Sequence, residues 1–439
     1  MKIAGAIVLA SLVAVAPGAA APTFHQDVEP ILHRRCQGCH RPGDIAPMSL
    51  MTYADARPWA KAIRSAVLQK KMPPWFADSD CGPFHNDPSL SKAEIEVLSA
   101  WAESGAPEGD AQESSNRNEY VAGWRIGKPD VVIEIPKAFE VPATGVVPYQ
   151  YISVPTGFTE DKWVQAIEIR PGNRKVVHHI IASAGKYSGG SSGVRPVGEF
   201  FTSDVEQRLL KSGQELPQFG AQTGSDLLQV FVPGGAPPEL KPGQAKLIRA
   251  GSGILFQLHY TTTGKPEQDR TRIGLIFAKV PPKERVKSIL IFHRNFTIPA
   301  GASNHLIQAR AAVLRDVRLV SMLPHMHLRG KDFEFRAIYP SGETETLLRV
   351  SRYDFNWQIN YYLASPRLLP KGTIIECSGH YDNSTNNPHN PDPKAEVRYG
   401  EQTWEEMLNG FMEIAMEPTV ETPEILGKAP ALAAERRNP

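Results

Sequence analysis

The sequence predicts a multidomain chain, with a small α-helical domain followed by two all-β sandwich domains. Three observations predict it. A chain of 439 residues suggests roughly three domains of about 150 residues each. Pro (38) and Gly (35) are both plentiful, which favours turn-rich β architecture over long helices. Helical spacing shows before Trp101, while from Pro129 on short β-type runs alternate with Pro/Gly turns. The expected boundaries are a leader over 1–21, a helical domain over 22–110 and a linker over 111–128. Two sandwiches follow over 129–284 and 285–421, then a disordered tail over 422–439, which is rich in Pro, Ala and Glu.

The chain opens as a secretory signal does. Lys2 precedes an apolar run from Ile3 to Val15, and a small-residue stretch ends at Ala19-Ala20-Ala21. The run is short for a membrane span and lacks charged flanks, so cleavage near Ala21 is expected rather than an uncleaved anchor. A periplasmic or secreted product follows, with no stable membrane span after cleavage. Basic and acidic residues balance, 48 against 47, so there is no electrostatic footprint for nucleic acid.

Of the four cysteines, two fall in Cys36-Gln37-Gly38-Cys39-His40. In a C-x-x-C-H run two thiols can form thioethers with haem vinyl groups, and the histidine becomes an axial iron ligand. A zinc half-site is the alternative, but no second C-x-x-C exists to complete it. The stretch from about Phe24 to Asp110 resembles a small class I cytochrome c. Asp55 to Lys71 has helical spacing, with Trp59, Ile63, Val67 and Leu68 on one face. Ser91 and Glu94 form a capping box that opens a final helix through Trp101. The resemblance points to Met72, just before Pro73, as the sixth iron ligand, with Met48 and Met51 as competitors. One covalently bound c-type haem is the expected cofactor. Cys81 and Cys377 are left over and could pair in an oxidising compartment.

The expected strands are Val131 to Ile135, Tyr149 to Val154, Lys175 to Ser183, Leu227 to Val232, Ile254 to Thr261, Lys287 to Phe292, Arg318 to Leu323, Asp332 to Tyr339 and Thr373 to Cys377. Two groups of histidines fall on them, and a third, His325 and His327, continues the run that reaches Leu323. His325 and His327 are two residues apart on a strand, so both imidazoles leave the same face. His178 and His179 are adjacent, so the strand must end or bulge there if both are to reach one metal. His259 alternates with an apolar face made by Ile254, Phe256, Leu258 and Tyr260, and a lone strand histidine is more often structural than a ligand. By residue type, these clusters suit zinc or copper.

Together with Glu406-Met407, these residues resemble a known family. From about Pro129 to Ala415 the chain is similar to the copper type II, ascorbate-dependent monooxygenases, relatives of peptidylglycine α-hydroxylating and dopamine β-monooxygenase. The His178-His179 pair, His259-Tyr260, His325-Met326-His327 and Glu406-Met407 occur in the family's order. The resemblance implies jelly-roll-like sandwiches holding two copper ions. One copper would take His178, His179 and His259. The other would take His325, His327 and Met407, handle dioxygen and hydroxylate a C–H bond. The first would supply an electron to it across a solvent gap. Met407 could instead open a helix from Thr403, but the alternation Met407, Asn409, Phe411 favours a strand.

The family pattern is broken in two places. The peptide-amidating relatives carry an arginine where this chain has Leu323, and a tyrosine where it has Phe411, while Asn409 is kept. These changes argue against peptides ending in glycine and for a more apolar pocket. The polar loop from Gly379 to His389 could be a plain Asn/Asp turn, or could place His380 or Tyr381 near the second copper. The expectation is a monooxygenase acting on a small-molecule or peptide-like organic substrate with dioxygen. An external electron donor, an ascorbate-like reductant or another cytochrome, would feed it through the haem. Two other readings stay open: a non-catalytic electron-transfer or copper-binding protein, and a zinc-stabilised β-sandwich binding protein.

Overall fold

The computed structural model describes residues 21–44, 46–113, 123–185, 197–202, 225–232, 235, 237–238, 240–421 and 425–429. The leader expected over 1–21 and most of the 422–439 tail lie outside them, and the 111–128 linker is described only at its ends. The chain is mostly β-sheet with few helices. It divides into two compact units. One holds the helices, and the other holds every strand together with the short segments 43–45 and 74–89.

In the helical unit, Glu29–Arg35, Tyr53–Ala56, Ala60–Leu68 and Lys92–Glu103 are α-helices. Their shared core is Phe24, Val28, Leu32, Leu98 and Trp101, all fully buried. The capping box forms as expected: Ser91 Oγ accepts from Glu94 N at 3.2 Å, and Glu94 Oε2 accepts from Ser91 N at 2.8 Å. The single helix expected over 55–71 is interrupted instead. Arg57–Trp59, with Pro58 inside it, is one 3₁₀ turn between two α-helices. That turn shifts the face: Ala60, Ile63 and Val67 are buried, while Trp59 and Leu68, expected beside them, are exposed.

The β unit is built on one continuous eight-stranded sheet. Its spatial order is Val131–Glu134, Arg272–Phe277, Lys162–Arg170, Gln244–Ile248, Glu284–His293, Leu408–Met416, Val317–His325, Tyr361–Leu369. A four-stranded sheet, Gln150–Pro155, Gly253–Tyr260, Val177–Gly185, Ser225–Phe231, packs on its first half. A five-stranded sheet, Thr344–Val350, Gly330–Ile338, Ile374–Tyr381, His305–Val313, Leu426–Lys428, packs on its second half. Each half therefore has its own sandwich core. The first is centred on Ile167, Ile180, Phe256 and Ile273, and the second on Ile291, Met322, Phe333, Phe335 and Met412.

At the seam expected near 284/285 the two halves meet in a strand pair. Gln244 and Ala245 lie beside Glu284 and Arg285 in parallel register, and this joins the halves into one sheet. Buried charges close the same seam. Lys246 Nζ bonds Glu413 Oε1 at 2.6 Å and the carbonyl of Leu228 at 2.8 Å. Arg285 reaches Asp226 at 2.7 Å, and Lys287 bonds the same carboxylate. Buried charges persist only when paired in this way.

Every expected strand is present, most of them displaced by one to three residues. Gln244–Ile248 escaped the sequence reading because Gln244 and Lys246, which look like surface residues, are buried by the seam network. Part of the tail is ordered: Leu426–Lys428 pairs with Ala311, Ala312 and Val313, held by the fully buried Ile425. Cys81 and Cys377 do not pair, and Cys377 is a core residue of the second sandwich.

Candidate metal centre

The His178-His179 strand bulges, as two adjacent ligands require. Val177 faces Tyr260 and His179 faces His259, and the register shifts between them, so His178 is the extra residue. One ring nitrogen from each of His178, His179 and His259 lies within 4.8 Å of the others. The Nδ1 atoms of His178 and His179 are 3.2 Å apart. His178 Nε2, His179 Nε2 and His259 Nδ1 are buried with no hydrogen-bond partner among the described residues. Buried polar atoms are rarely left so. Burial holds the His178 imidazole down to about 4 and His259 to about 3, and pushes His179 well below its ordinary value. All three are therefore neutral at pH 7, the form that binds metal.

His325 and His327 lie at and just past the end of Val317–His325. Their neighbour is Leu408–Met416, with Leu323 across from Phe411 and His325 across from Asn409. His327 and Met407 lie just outside these strands, both backbones are held by the Glu406 carboxylate, and Met407 packs in the second sandwich core. Met326, between the two histidines, packs in the same core. It fills the space over two glycines: a Cβ on Gly330 would lie 2.8 Å from Met326 Cβ, and one on Gly379 would lie 2.9 Å from its sulfur. That knob fixes the direction of both imidazoles.

Hydrogen bonds fix their tautomers as well. His325 Nδ1 is 2.7 Å from Gln358 Oε1, and His327 Nδ1 is 3.1 Å from the Glu405 carbonyl. Both partners accept, so each Nδ1 carries the hydrogen and each Nε2 keeps its lone pair. His327 Nε2 is buried and unpartnered among the described residues. Burial lowers the His325 imidazole to about 4 and His327 well below its ordinary value. The Met407 thioether is 93% buried and 3.2 Å from Asn409 Nδ2.

Glu406 explains the Glu-Met pair. Its carboxylate accepts from the backbone N–H of His327 at 2.9 Å, of Arg329 at 2.6 Å and of Met407 at 3.3 Å. It therefore ties the chain after His325 to the chain before Asn409. Burial raises its carboxyl to about 8 against the pull of those donors and of Arg329. Tyr381 is fully buried and donates to the Met407 carbonyl at 2.7 Å, so it positions the thioether through the backbone. His380 does not join it, since it pairs instead with Asp332 at 2.8 Å.

The two histidine sets come together. The rings of His179 and His325 are 6.2 Å apart, centre to centre. The Phe355 ring lies 4.8 Å from His178, 6.5 Å from His259 and 6.2 Å from His327. The sets therefore stand closer than an open solvent gap would place them, with the Phe355 ring against both. Leu323 and Phe411 form an apolar cross-strand pair next to His325. With Leu227, Tyr362 and Pro238 they line a cavity of about 30 Å³, room for little more than a water molecule.

Tyr149, Phe355 and Gln358 were invisible to sequence reasoning. Tyr149 leads into a strand whose partner carries His259, and its ring packs on His179 and His259. Phe355 and Gln358 sit in a loop after Thr344–Val350, with no periodicity to mark them. Glu406 alone carried a signal, its place beside Met407.

In the helical unit, Cys39 N and His40 N both reach the Cys36 carbonyl, at 3.1 and 2.9 Å, so one tight turn gathers the three residues. His40 Nδ1 faces the Met48 carbonyl at 3.3 Å, which leaves Nε2 as the ligand atom. Burial pushes the Cys36 thiol up to about 12, and neither cysteine is in a disulfide. Met72 follows Ala60–Leu68 in the same unit, half-buried.

No family model and no curated protein matches this chain. Among solved structures it is similar to the infectious bursal disease virus Gt strain, at 8% identity over 68% of this chain and 74% of that one, with a TM-score of 0.19. The Gx strain gives 9% identity, 68% and 75% coverage and a TM-score of 0.19. A likeness at that TM-score carries no argument about fold or activity.

Proposed function

We propose that this chain is an exported haem–copper monooxygenase that hydroxylates a C–H bond of an organic substrate with dioxygen. The observation that carries the reading is five neutral imidazoles in two groups, four buried and His178 half-buried, with the Met407 sulfur on Asn409, the cross-strand neighbour of His325. Copper is the metal this donor set suits. His178, His179 and His259 would hold one ion, and His325, His327 and Met407 the other. All-imidazole coordination serves both copper oxidation states, and a soft thioether favours Cu(I). Zinc would be equally content with the first three histidines, and Met407 is what separates the two metals. Copper bound there would supply redox chemistry toward dioxygen.

This chain's own residues do the rest. Gln358 and the Glu405 carbonyl orient the second pair of imidazoles. Glu406 and Tyr381 hold Met407 in line with them. Leu323 and Phe411 present an apolar wall beside His325, which suits an apolar substrate better than a carboxylate. In the helical unit, Cys36, Cys39 and His40, with Met72, would hold one c-type haem suited to electron transfer.

Metal and haem analysis of the purified chain tests the reading, followed by oxygen uptake with a reductant. Copper near two equivalents, one haem, and uptake abolished by His325→Ala are expected. Zinc in place of copper would favour the structural reading. Copper without oxygen uptake would favour a non-catalytic electron-transfer protein.

A further inference from the structure

We propose that the two histidine sets form one binuclear site, with the Tyr149 hydroxyl as hydrogen-bond donor to a small anion bridging the metals. The inference rests on the copper reading above and goes beyond it, since that reading needs only two separate ions.

Three observations carry it. His179 and His325 come from different sandwiches, yet their rings stand 6.2 Å apart and nearly perpendicular. Phe355 touches imidazoles of both sets, so one side chain walls both. Six buried polar atoms have no hydrogen-bond partner among the described residues: His178 Nε2, His179 Nε2, His259 Nδ1, His327 Nε2, Tyr149 Oη and Asn409 Oδ1. Buried polar groups are rarely left unsatisfied, so six around the same imidazoles call for occupants. Metal ions satisfy the imidazole nitrogens. They do not satisfy the Tyr149 hydroxyl, a donor, or the Asn409 carbonyl, an acceptor.

Tyr149 is 97% buried, and its ring packs on His179 at 5.4 Å and His259 at 4.6 Å. Asn409 stands opposite His325. A donor beside the first set and an acceptor beside the second match a small species that can both accept and donate, such as hydroxide; azide can take only the bond from Tyr149. Burial also keeps the Tyr149 phenol protonated, so it acts as a donor.

The test uses the full chain loaded with two equivalents of Cu(II), with azide as the probe. A bridging anion couples the two unpaired electrons, so copper spins counted by electron paramagnetic resonance should fall well below total copper when azide is added. The double variant His325→Ala/His327→Ala should bind one equivalent and regain one full spin per copper. Two bound equivalents with full, independent spin counts at saturating azide would overturn the binuclear site and leave the copper reading standing. Failure of the wild type to bind two equivalents would overturn both. Tyr149→Phe should keep the copper content and the melting temperature while weakening azide binding about tenfold. Unchanged azide affinity would remove Tyr149 from the proposal.

Discussion

The two histidine sets solve the same problem in opposite ways. The first gathers three imidazoles by breaking strand regularity, since the bulge at His178 lets adjacent residues serve one centre. Ring packing against Tyr149 and Phe355 orders it. The second has its strand irregularity well before the histidines, between Leu319 and Ser321, and has only two imidazoles, but each is locked through Nδ1, and Glu406 ties down the backbone around them. One set is rich in ligands and the other rich in braces. A third strong ligand holds an ion by itself, whereas two imidazoles and a thioether depend on being aimed.

The largest expected effect is shared by both sets and tests whether their imidazoles are neutral in the fold. A free histidine takes up a proton near 6.5. His178 and His325 are held to about 4 and His259 to about 3, chiefly by burial. Below pH 6.5 the unfolded chain therefore binds more protons than the folded one. The contribution is fully present above about pH 6.5 and is lost as pH falls toward 4. Denaturant titrations of the metal-free protein should show this decline, with bound metal delaying it to lower pH. A flat profile across that window would show that the imidazoles titrate as exposed ones.

Breaking the braced set comes next. Glu406→Ala leaves the backbone N–H groups of His327, Arg329 and Met407 without their acceptor, and should cost about 3 kcal/mol or more in unfolding free energy. Copper content at the second set should fall while the first stays loaded. Loss of both ions together, with the fold intact by circular dichroism, would mean the sets are not separately braced.

Removing a ligand from the other set should leave stability nearly untouched. His178→Ala should weaken Cu(I) binding there by more than about 100-fold, beyond the usual range for outer-shell changes. Competition with a chromophoric chelator measures it.

The smallest effect probes a single brace. Gln358→Leu removes the acceptor for His325 Nδ1 and should weaken the second set about 10-fold to 100-fold, with no change at the first. Equal weakening at both sets would point instead to a shift of the Phe355 loop.

Much of this was legible in the chain itself. The period-2 alternation around His325 and Met326 made one residue type face the site and the other the core, and the structure keeps both assignments. The adjacency of His178 and His179 forced a bulge, which is present. The apolar face of Gly253–Tyr260 and the capping box at Ser91 also followed from local pattern. Such features depend on neighbours in sequence, and strand or helix geometry converts them directly into direction.

Only the tertiary structure decided what touches across sequence distance. The sandwich boundary became a shared sheet because Gln244 and Glu284 pair in parallel, and the buried Lys246–Glu413 bond could not be read from either strand alone. The meeting of His179 with His325, and the arrival of Tyr149, Phe355 and Gln358, come from four separated segments. Sequence fixes which faces are polar. Which polar faces meet is set by how the two sandwiches share a sheet, a long-range pairing that no local pattern encodes.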